Sequence, residues 1–523
     1  MDEDAMMTNA DEGDAAVGGG VGDAGDVQDD IADDTPAFID MQDAVEVQVD
    51  EENRPMEEEE DEGAMKDGTD ADADVSPSSA EDDSNYQFKS HTDAVYAVAA
   101  AVDTQTGQLS ILSGGGDDKS FLCSIPTAAG TQQQQQQQQQ SVSIPHPFKD
   151  TVSSVVYNWQ HVTDPTDSKT PRLAAVGSYD GSILLYDTTD VSSVAAPLQP
   201  KLQLEGPSDV EWMAFHPKGG TVLLVGSGDA SVWMFHLPLN RCLQVFVGHE
   251  QAVTCGSFSP DGKWALSASS DGTLRIWAPK TGMNKHVFRF TNNNNNNDGG
   301  PPAGLTCMAT GGGSDSALVM VGGEDGIAHV CHIGTKKVVA TLRHFEPTSG
   351  MAAHQGAGDD EMEYPMSVEA VGFCPIQPTW CATGGVDGKL KIWDLSRDGG
   401  QLRHVCNTTT TATTPDQQED GAGAGAGGGG GVDSITRLQW HPKLPLVFTS
   451  HVTGNVKLWD ARNGTLVHML HGGNDQINDM DIQFSSTVPN IAYIVTASDD
   501  KTVRLFELDV NAAMQKVATT TTA

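Results

Sequence analysis

One seven-residue frame recurs along this chain and constrains its fold more than any other feature. The clearest copy is Asp271-Gly272-Thr273-Leu274-Arg275-Ile276-Trp277. Copies at 180–186, 229–235, 325–331, 387–393 and 500–506 also open on Asp; the copy at 453–459 opens on Thr453, and the one at 117–123 is the weakest. Each reads as a tight turn followed by an alternating strand. The Asp carboxylate accepts from turn amides, and Gly takes positive φ at little cost.

The stretch upstream of each frame repeats as well. An apolar or β-branched residue is followed five positions later by another large apolar one, often just before a Pro turn. Val210 to Phe215, Val253 to Phe258, Val368 to Phe373 and Ile435 to Trp440 are the clearest pairs; Val95, Val152, Leu305 and Ile477 open weaker ones. A short apolar run, such as Trp264–Ala268, lies between the two halves. That makes three strands per unit, with a fourth in the link to the next. Four strands per unit of roughly 40–45 residues is the pattern of a WD-repeat blade. The expectation is an all-β propeller of eight blades over 86–510, with seven left open if blade one or five is degenerate. Residues near 86–89 are expected to close the ring by lending a strand to the last blade, which removes two exposed sheet edges.

Charge divides the 523 residues unevenly. Residues 1–85 hold 31 Asp and Glu against Arg54 and Lys66, a net of −29 out of −44 for the chain. Such a segment buries too little apolar surface to offset its ordering entropy, so a disordered acidic tail is expected. Within it, 37–49 mixes acids with apolar residues and reads either as a docking motif or as part of a solubilising tail. Gln-rich 132–140, Asn-rich 292–297, acidic 351–364 and Thr/Gly/Ala-rich 408–431 fall between units, where loops lengthen at little cost. Residues 511–523, ending in a Thr run, read as a second disordered tail. Met1-Asp-Glu-Asp reads as the opposite of a signal peptide, so none is expected; no apolar run suffices to span a membrane, and eight scattered Cys form no CxxC pair. A cytoplasmic or nuclear protein with reduced thiols is expected.

Gly248-His249 with Ser267, Asp271 and Trp277 matches a hydrogen-bonded set of WD repeats: His to Asp, His to Ser, Ser to Trp. The other blades look incomplete. His249 is therefore read as structural rather than as a base or ligand. Phosphate-loop, HExxH, GxSxG and spaced Cys/His motifs are absent, so neither enzyme nor cofactor nor metal is expected. A chain this acidic also disfavours direct nucleic-acid binding.

Acidic residues recur at one place in the frame. Two positions before the first core strand stand Asp93, Asp150, Asp433 and Asp475, in consecutive blades once the ring closes; Asp209 follows one place later in its blade. Glu211 and Glu369 lie one residue inside the strand. Glu324 and Asp499, with Tyr179, occupy the slot before the turn Asp. Together they predict an acidic rim suited to a basic protein segment, although Asp after Gly-His is also frequent in WD repeats for structural reasons. Exposed ion pairs contribute only about 0.2–1 kcal/mol each, so apolar anchors are needed too. Tyr179 and Trp233 are candidates, Trp233 having packing between blades as its alternative.

Asp209–Pro217, Ser367–Cys374 and Leu458–Gly464, with an acidic tail before eight repeats, resemble the angio-associated migratory cell protein family. The inserts and the missing aromatic near Cys123 depart from its pattern. The resemblance implies a non-enzymatic scaffold, and a monomeric propeller is expected. In this wider family the fungal counterpart is a chaperone that holds the basic N-terminal segment of a large-subunit ribosomal protein on an acidic propeller face, while the animal member is linked to migration and signalling. The rim favours the first role. A general interaction scaffold, in signalling or as a ubiquitin-ligase substrate receptor, is the alternative.

Overall fold

The computed structural model describes residues 82–103, 107–126, 141–143, 148–158, 172–188, 198–291, 302–311, 317–345, 367–397, 399–407, 432–484 and 490–520. The acidic tail through residue 81 and the inserts at 132–140, 292–297, 351–364 and 408–431 lie outside them. The described strands form eight four-stranded antiparallel sheets. Blade number is therefore eight. The innermost strands are Val95–Val102, Val152–Tyr157, Val210–Phe215, Cys255–Phe258, Leu305–Thr310, Val368–Phe373, Ile435–Trp440 and Ile477–Phe484, in blades 1 to 8. Each packs beside the next, and the eighth packs beside the first, closing the ring.

Closure uses the strand expected from the sequence. Tyr86–Phe88 pairs antiparallel with Val503–Asp509, Tyr86 opposite Leu505 and Phe88 opposite Val503, as the fourth strand of blade 8. Just before it, Asp83 exchanges hydrogen bonds with the His471 backbone: its N–H donates to the carbonyl at 2.8 Å and its carboxylate accepts from the N–H at 2.9 Å.

Strand alternation explains where the core lies. Each sheet faces a neighbour on both sides, so every blade is apolar on two faces. Buried side chains gather into eight clusters, each shared by two adjacent blades. Phe246 and Trp277 meet between blades 3 and 4; Phe448 and Phe506 meet between blades 7 and 8. Burying one such ring contributes about 1.5–3 kcal/mol. All eight cysteines are free.

The recurring turn puts its second residue in the left-handed region in every blade. Gly181, Gly272, Gly326, Gly388 and Gly454 supply it in five; Asp118, Ala230 and Lys501 adopt φ of 57°, 69° and 68° in the other three. The frame thus repeats in conformation where it fails in sequence.

The end of the chain departs from expectation. Instead of a disordered tail after 510, Val510–Thr520 is an α-helix. Asp509 caps it, its carboxylate accepting from the Ala512 N–H at 3.0 Å. Val510, Ala513 and Met514 join the cluster between blades 7 and 8. A cap followed by Ala, Met, Gln and Lys is a helix start that the Thr run at 519–522 obscures.

Candidate binding rim

The loop before each inner strand and the recurring turn are tied to one face by the same backbone hydrogen bond in every blade. The residue before the turn donates its N–H to the carbonyl just before the inner strand: Gly116 to Ala94, Tyr179 to Thr151, Gly228 to Asp209, Ser270 to Ala252, Glu324 to Gly304, Val386 to Ser367, Val452 to Ser434 and Asp499 to Gln476. All three sequence positions singled out for acids therefore lie on the same rim.

A second device aims the side chains. In seven blades the inner strand shifts register directly after its first residue. Such bulges re-aim the extra side chain. The bulged residues are Tyr96, Ser153, Glu211, Thr306, Glu369, Thr436 and Asn478. Several stitch the ring: Ser153 donates to the Val210 carbonyl, Thr306 to Val368, and Asn478 to Val95 at 3.0 Å, while Thr254 does the same in blade 4, to Leu305 at 2.6 Å. An ionised Glu is acceptor-only and cannot serve in this way. At Glu211 the stitch passes to Trp212, whose Nε1 donates to the Val253 carbonyl at 2.9 Å. Glu211 is thereby released from a structural duty that Ser153, Thr306 and Asn478 perform at the same position.

Blades 1 to 3 bring the acids together. Asp93 and Asp150 are exposed, and among the described residues the carboxylate of each accepts only from the N–H of its own successor, Ala94 or Thr151. Asp209 is held above the usual carboxylate range by partial burial and by the charges of Asp229 and Asp150. Glu211 is raised by burial and by Asp209. The Tyr179 hydroxyl lies 3.5 Å from the Glu211 carboxylate, and burial together with Glu211 pushes its phenol up to about 12. Tyr96, 45% exposed, stands close enough to Tyr179 to perturb it. Sequence reasoning missed Tyr96 and Asp229. For Tyr96 the signal was its frame position, shared with Glu211 and Glu369.

The remaining predicted acids divide. Asp475 is exposed on blade 8, and Asp499 accepts from Asn478 Nδ2 at 2.7 Å. Glu324 is exposed on blade 5; Glu369, half-buried on blade 6, accepts from the Ser367 hydroxyl. These two stand away from the group on blades 1 to 3. Among the described residues, none of Asp93, Asp150, Asp209, Glu211, Asp229, Glu324, Glu369, Asp475 and Asp499 has a Lys or Arg within ion-pair reach.

Asp433 differs. It takes Lys457 Nζ at 2.6 Å and the Thr453 hydroxyl at 2.6 Å, with His451 Nδ1 at 3.4 Å, and these partners hold its carboxyl below the usual range against the effect of burial. Blade 7 has exchanged roles: the acid comes from the loop and the His from the strand. Asp433 is consumed within its blade, so the arc of free acids runs from blade 8 through 3. Trp233 is likewise internal, half-buried against the cluster between blades 2 and 3, with Nε1 donating to the Ser231 hydroxyl at 2.8 Å.

The structural set in blade 4 is as expected. His249 meets Asp271 at 3.0 Å and Ser267 at 2.7 Å, and Trp277 Nε1 donates to Ser267 at 2.8 Å. Blade 6, expected to be incomplete, has a full set with Thr in place of Ser. His344 meets Thr383 at 2.7 Å and Asp387 at 3.1 Å, and Trp393 donates to Thr383 at 2.9 Å. Its His lies 43 residues before its Asp, against 22 in blade 4, because the insert follows it. Among the described residues no group of three or more His, Cys, Asp or Glu is placed to hold a metal ion.

The WD domain, G-beta repeat signature matches residues 240–278, 367–394 and 464–507. Over 425 residues the chain is 30% identical to the angio-associated migratory cell protein of Canis lupus familiaris, covering 81% of this chain and 80% of the dog protein. The chain belongs to the angio-associated migratory cell protein family. The Homo sapiens member is 29% identical over the same shares of the two chains. Among solved structures, this family member is similar in fold to Saccharomyces cerevisiae Sqt1, with a TM-score of 0.61 at 18% identity over 82% of this chain and 100% of that one. Chaetomium thermophilum Sqt1 bound to the N-terminus of the ribosomal protein L10 gives 0.59 at 20% identity, over 82% and 100%.

Proposed function

We propose that the propeller is a non-enzymatic chaperone that holds a basic segment of a large-subunit ribosomal protein on its acidic rim. The observation that carries this reading is the group Asp150, Asp209, Glu211 and Asp229, drawn together by a bulge and two loops with no Lys or Arg in ion-pair reach among the described residues. Asp209 and Glu211, raised by burial and then by neighbouring carboxylate charge, gain most from an incoming Lys or Arg. Tyr96 and Tyr179 supply the apolar contact that exposed ion pairs require for tight binding. The fungal Sqt1 captured with the N-terminus of ribosomal protein L10 has the same fold and supports a client of that kind. Binding would mask client charge before assembly, in the cytoplasm or nucleus, and ribosomal RNA would compete it away.

The test is calorimetric titration of the full chain with a synthetic basic N-terminal segment of a large-subunit ribosomal protein, at low and moderate salt. Wild type is expected to bind, more weakly as salt rises, because screening lengths fall to about 8 Å at physiological ionic strength. Asp150→Lys/Asp209→Lys/Glu211→Lys is expected to lose at least a hundredfold in affinity while keeping its unfolding midpoint. Unchanged binding by the folded variant would remove the rim from the function. Capture from extract of salt-insensitive signalling or ligase components instead would favour the general scaffold.

A further inference from the structure

Away from the rim, the inner strands line an open cavity of about 470 Å³ that the proposed function does not use. Its walls come from blades 1 to 5 and blade 8, towards the C-terminal ends of the inner strands. The rim lies at their N-terminal ends, so the cavity occupies the opposite part of the channel. Val156, Ala214, Pro217 and Pro260 give the lining its accessible apolar surface, and Asp481 supplies a carboxylate. A few hundred cubic ångströms of apolar wall with one oriented polar group is the ordinary composition of a small-ligand site.

Asp481 already has structural contacts. Across the seam between blades 8 and 1 it accepts from the Ala100 N–H at 2.8 Å, and the Gln483 side-chain amide reaches it at 3.2 Å. A carboxylate offers about four lone-pair sites, so these contacts leave acceptor capacity facing the cavity. The charged groups around it do not neutralise it. Asp479, on the same strand, repels it; the nearby cation, Arg437 of blade 7, is engaged with Asp479 at 3.0 Å; Tyr157 of blade 2 is a buried phenol kept protonated by burial. Burial first, then Asp479, pushes Asp481 up to about 6, against the hydrogen bonds that favour its ionised form.

We propose that this cavity binds a protonated alkylamine, a short apolar chain ending in an ammonium group, with Asp481 as its counter-charge. The chain displaces water from Val156, Ala214 and Pro260, and the ammonium donates to the free face of the carboxylate. A free amine and a Lys side chain of a protein segment share this chemistry.

The experiment titrates the full chain at pH 7.5 with n-butylammonium, n-butanol and butyrate, followed by NMR of the methyl groups lining the cavity. Nα-acetyl-lysine methylamide forms a fourth arm. In wild type, butylammonium is expected to bind at least tenfold tighter than butanol, and butyrate more weakly than either. In Asp481→Asn, which keeps an oxygen for the Ala100 N–H, the preference for the ammonium is expected to vanish. Ala214→Leu, which fills the cavity from blade 3 and leaves Asp481 in place, is expected to weaken all probes. Lowering pH through about 6 is expected to weaken butylammonium and leave butanol unchanged. If the lysine derivative matches butylammonium, the source is a Lys side chain; if it is excluded while butylammonium binds, the source is a free amine. Equal affinity for butanol and butylammonium in wild type, a preference retained in Asp481→Asn, or no saturable binding would overturn the proposal. Rim binding of the basic segment, measured on Asp481→Asn, is independent of these outcomes and separates this failure from failure of the proposed function.

Discussion

Asp433 shows how a residue's place in a repeat differs from its role. It shares a frame position with Asp93, Asp150 and Asp475, and sequence alone groups the four together. The difference lies twenty residues on, where Thr453 replaces the turn Asp: Lys457 and His451 then lack an acid, and Asp433 provides it. Lys457 is nearly inaccessible, so Asp433→Asn leaves a buried ammonium without its counter-charge. Losing one partner of a buried pair costs about 3–5 kcal/mol. A loss of that size in unfolding free energy from denaturant titration, with binding of the basic segment unchanged, is the expected result; lost binding at unchanged stability would return Asp433 to the rim. Glu211 is the opposite case. Its type and position were legible, but its release from the stitching role was not, because that follows from a bulge and from Trp212 taking over the contact.

At the scale of elements, most of the fold was readable. Turn, strand and Pro signals recur at a fixed spacing, and closure by Tyr86–Phe88 follows from the need to cover the edge of the last blade. What escaped reading was displaced by unusual sequence. The insert between blades 5 and 6 separates His344 from its partners, and a Thr run hides the helix that Asp509 starts. The turn gives a prediction of its own. Ala230 holds φ of 69° where five other blades have Gly, and a Cβ in the left-handed region costs roughly 1–2 kcal/mol. Against the greater unfolded-state entropy of Gly, Ala230→Gly is expected to stabilise the propeller by about 0.5–1 kcal/mol. Thermal unfolding checks it: a lower midpoint would show that the Ala230 methyl makes a contact worth more than the strain.

For the whole molecule, buried imidazoles dominate the response to mild acid. His441, His451 and His329 are pushed down to about 4 by burial, and His91 and His344 are lowered for the same first reason. Their folded-state values lie below the unfolded value near 6.5, so below pH 6.5 the unfolded chain binds more protons and stability falls. Each of the first three contributes on the order of 1 kcal/mol per pH unit between about 6.5 and 4. Asp271 and Asp117 are depressed, their hydrogen bonds to His249 and His91 outweighing burial, and add a further loss below about pH 4. Asp209, Glu211 and Asp481 are raised and oppose this trend over their own ranges. A midpoint that is flat above pH 6.5 and drops steeply below it is expected, and a flat profile down to pH 5 would contradict the burial of these rings. The position of the seam has a further consequence, one of timing. The free acids span blades 8, 1, 2 and 3, and so straddle the junction of the first and last strands. A chain emerging from synthesis cannot assemble this arc until Val503–Asp509 is available to pair with Tyr86–Phe88. Partly made or truncated copies would therefore lack a complete grip on a client, and capacity would be gained in one step at completion rather than blade by blade.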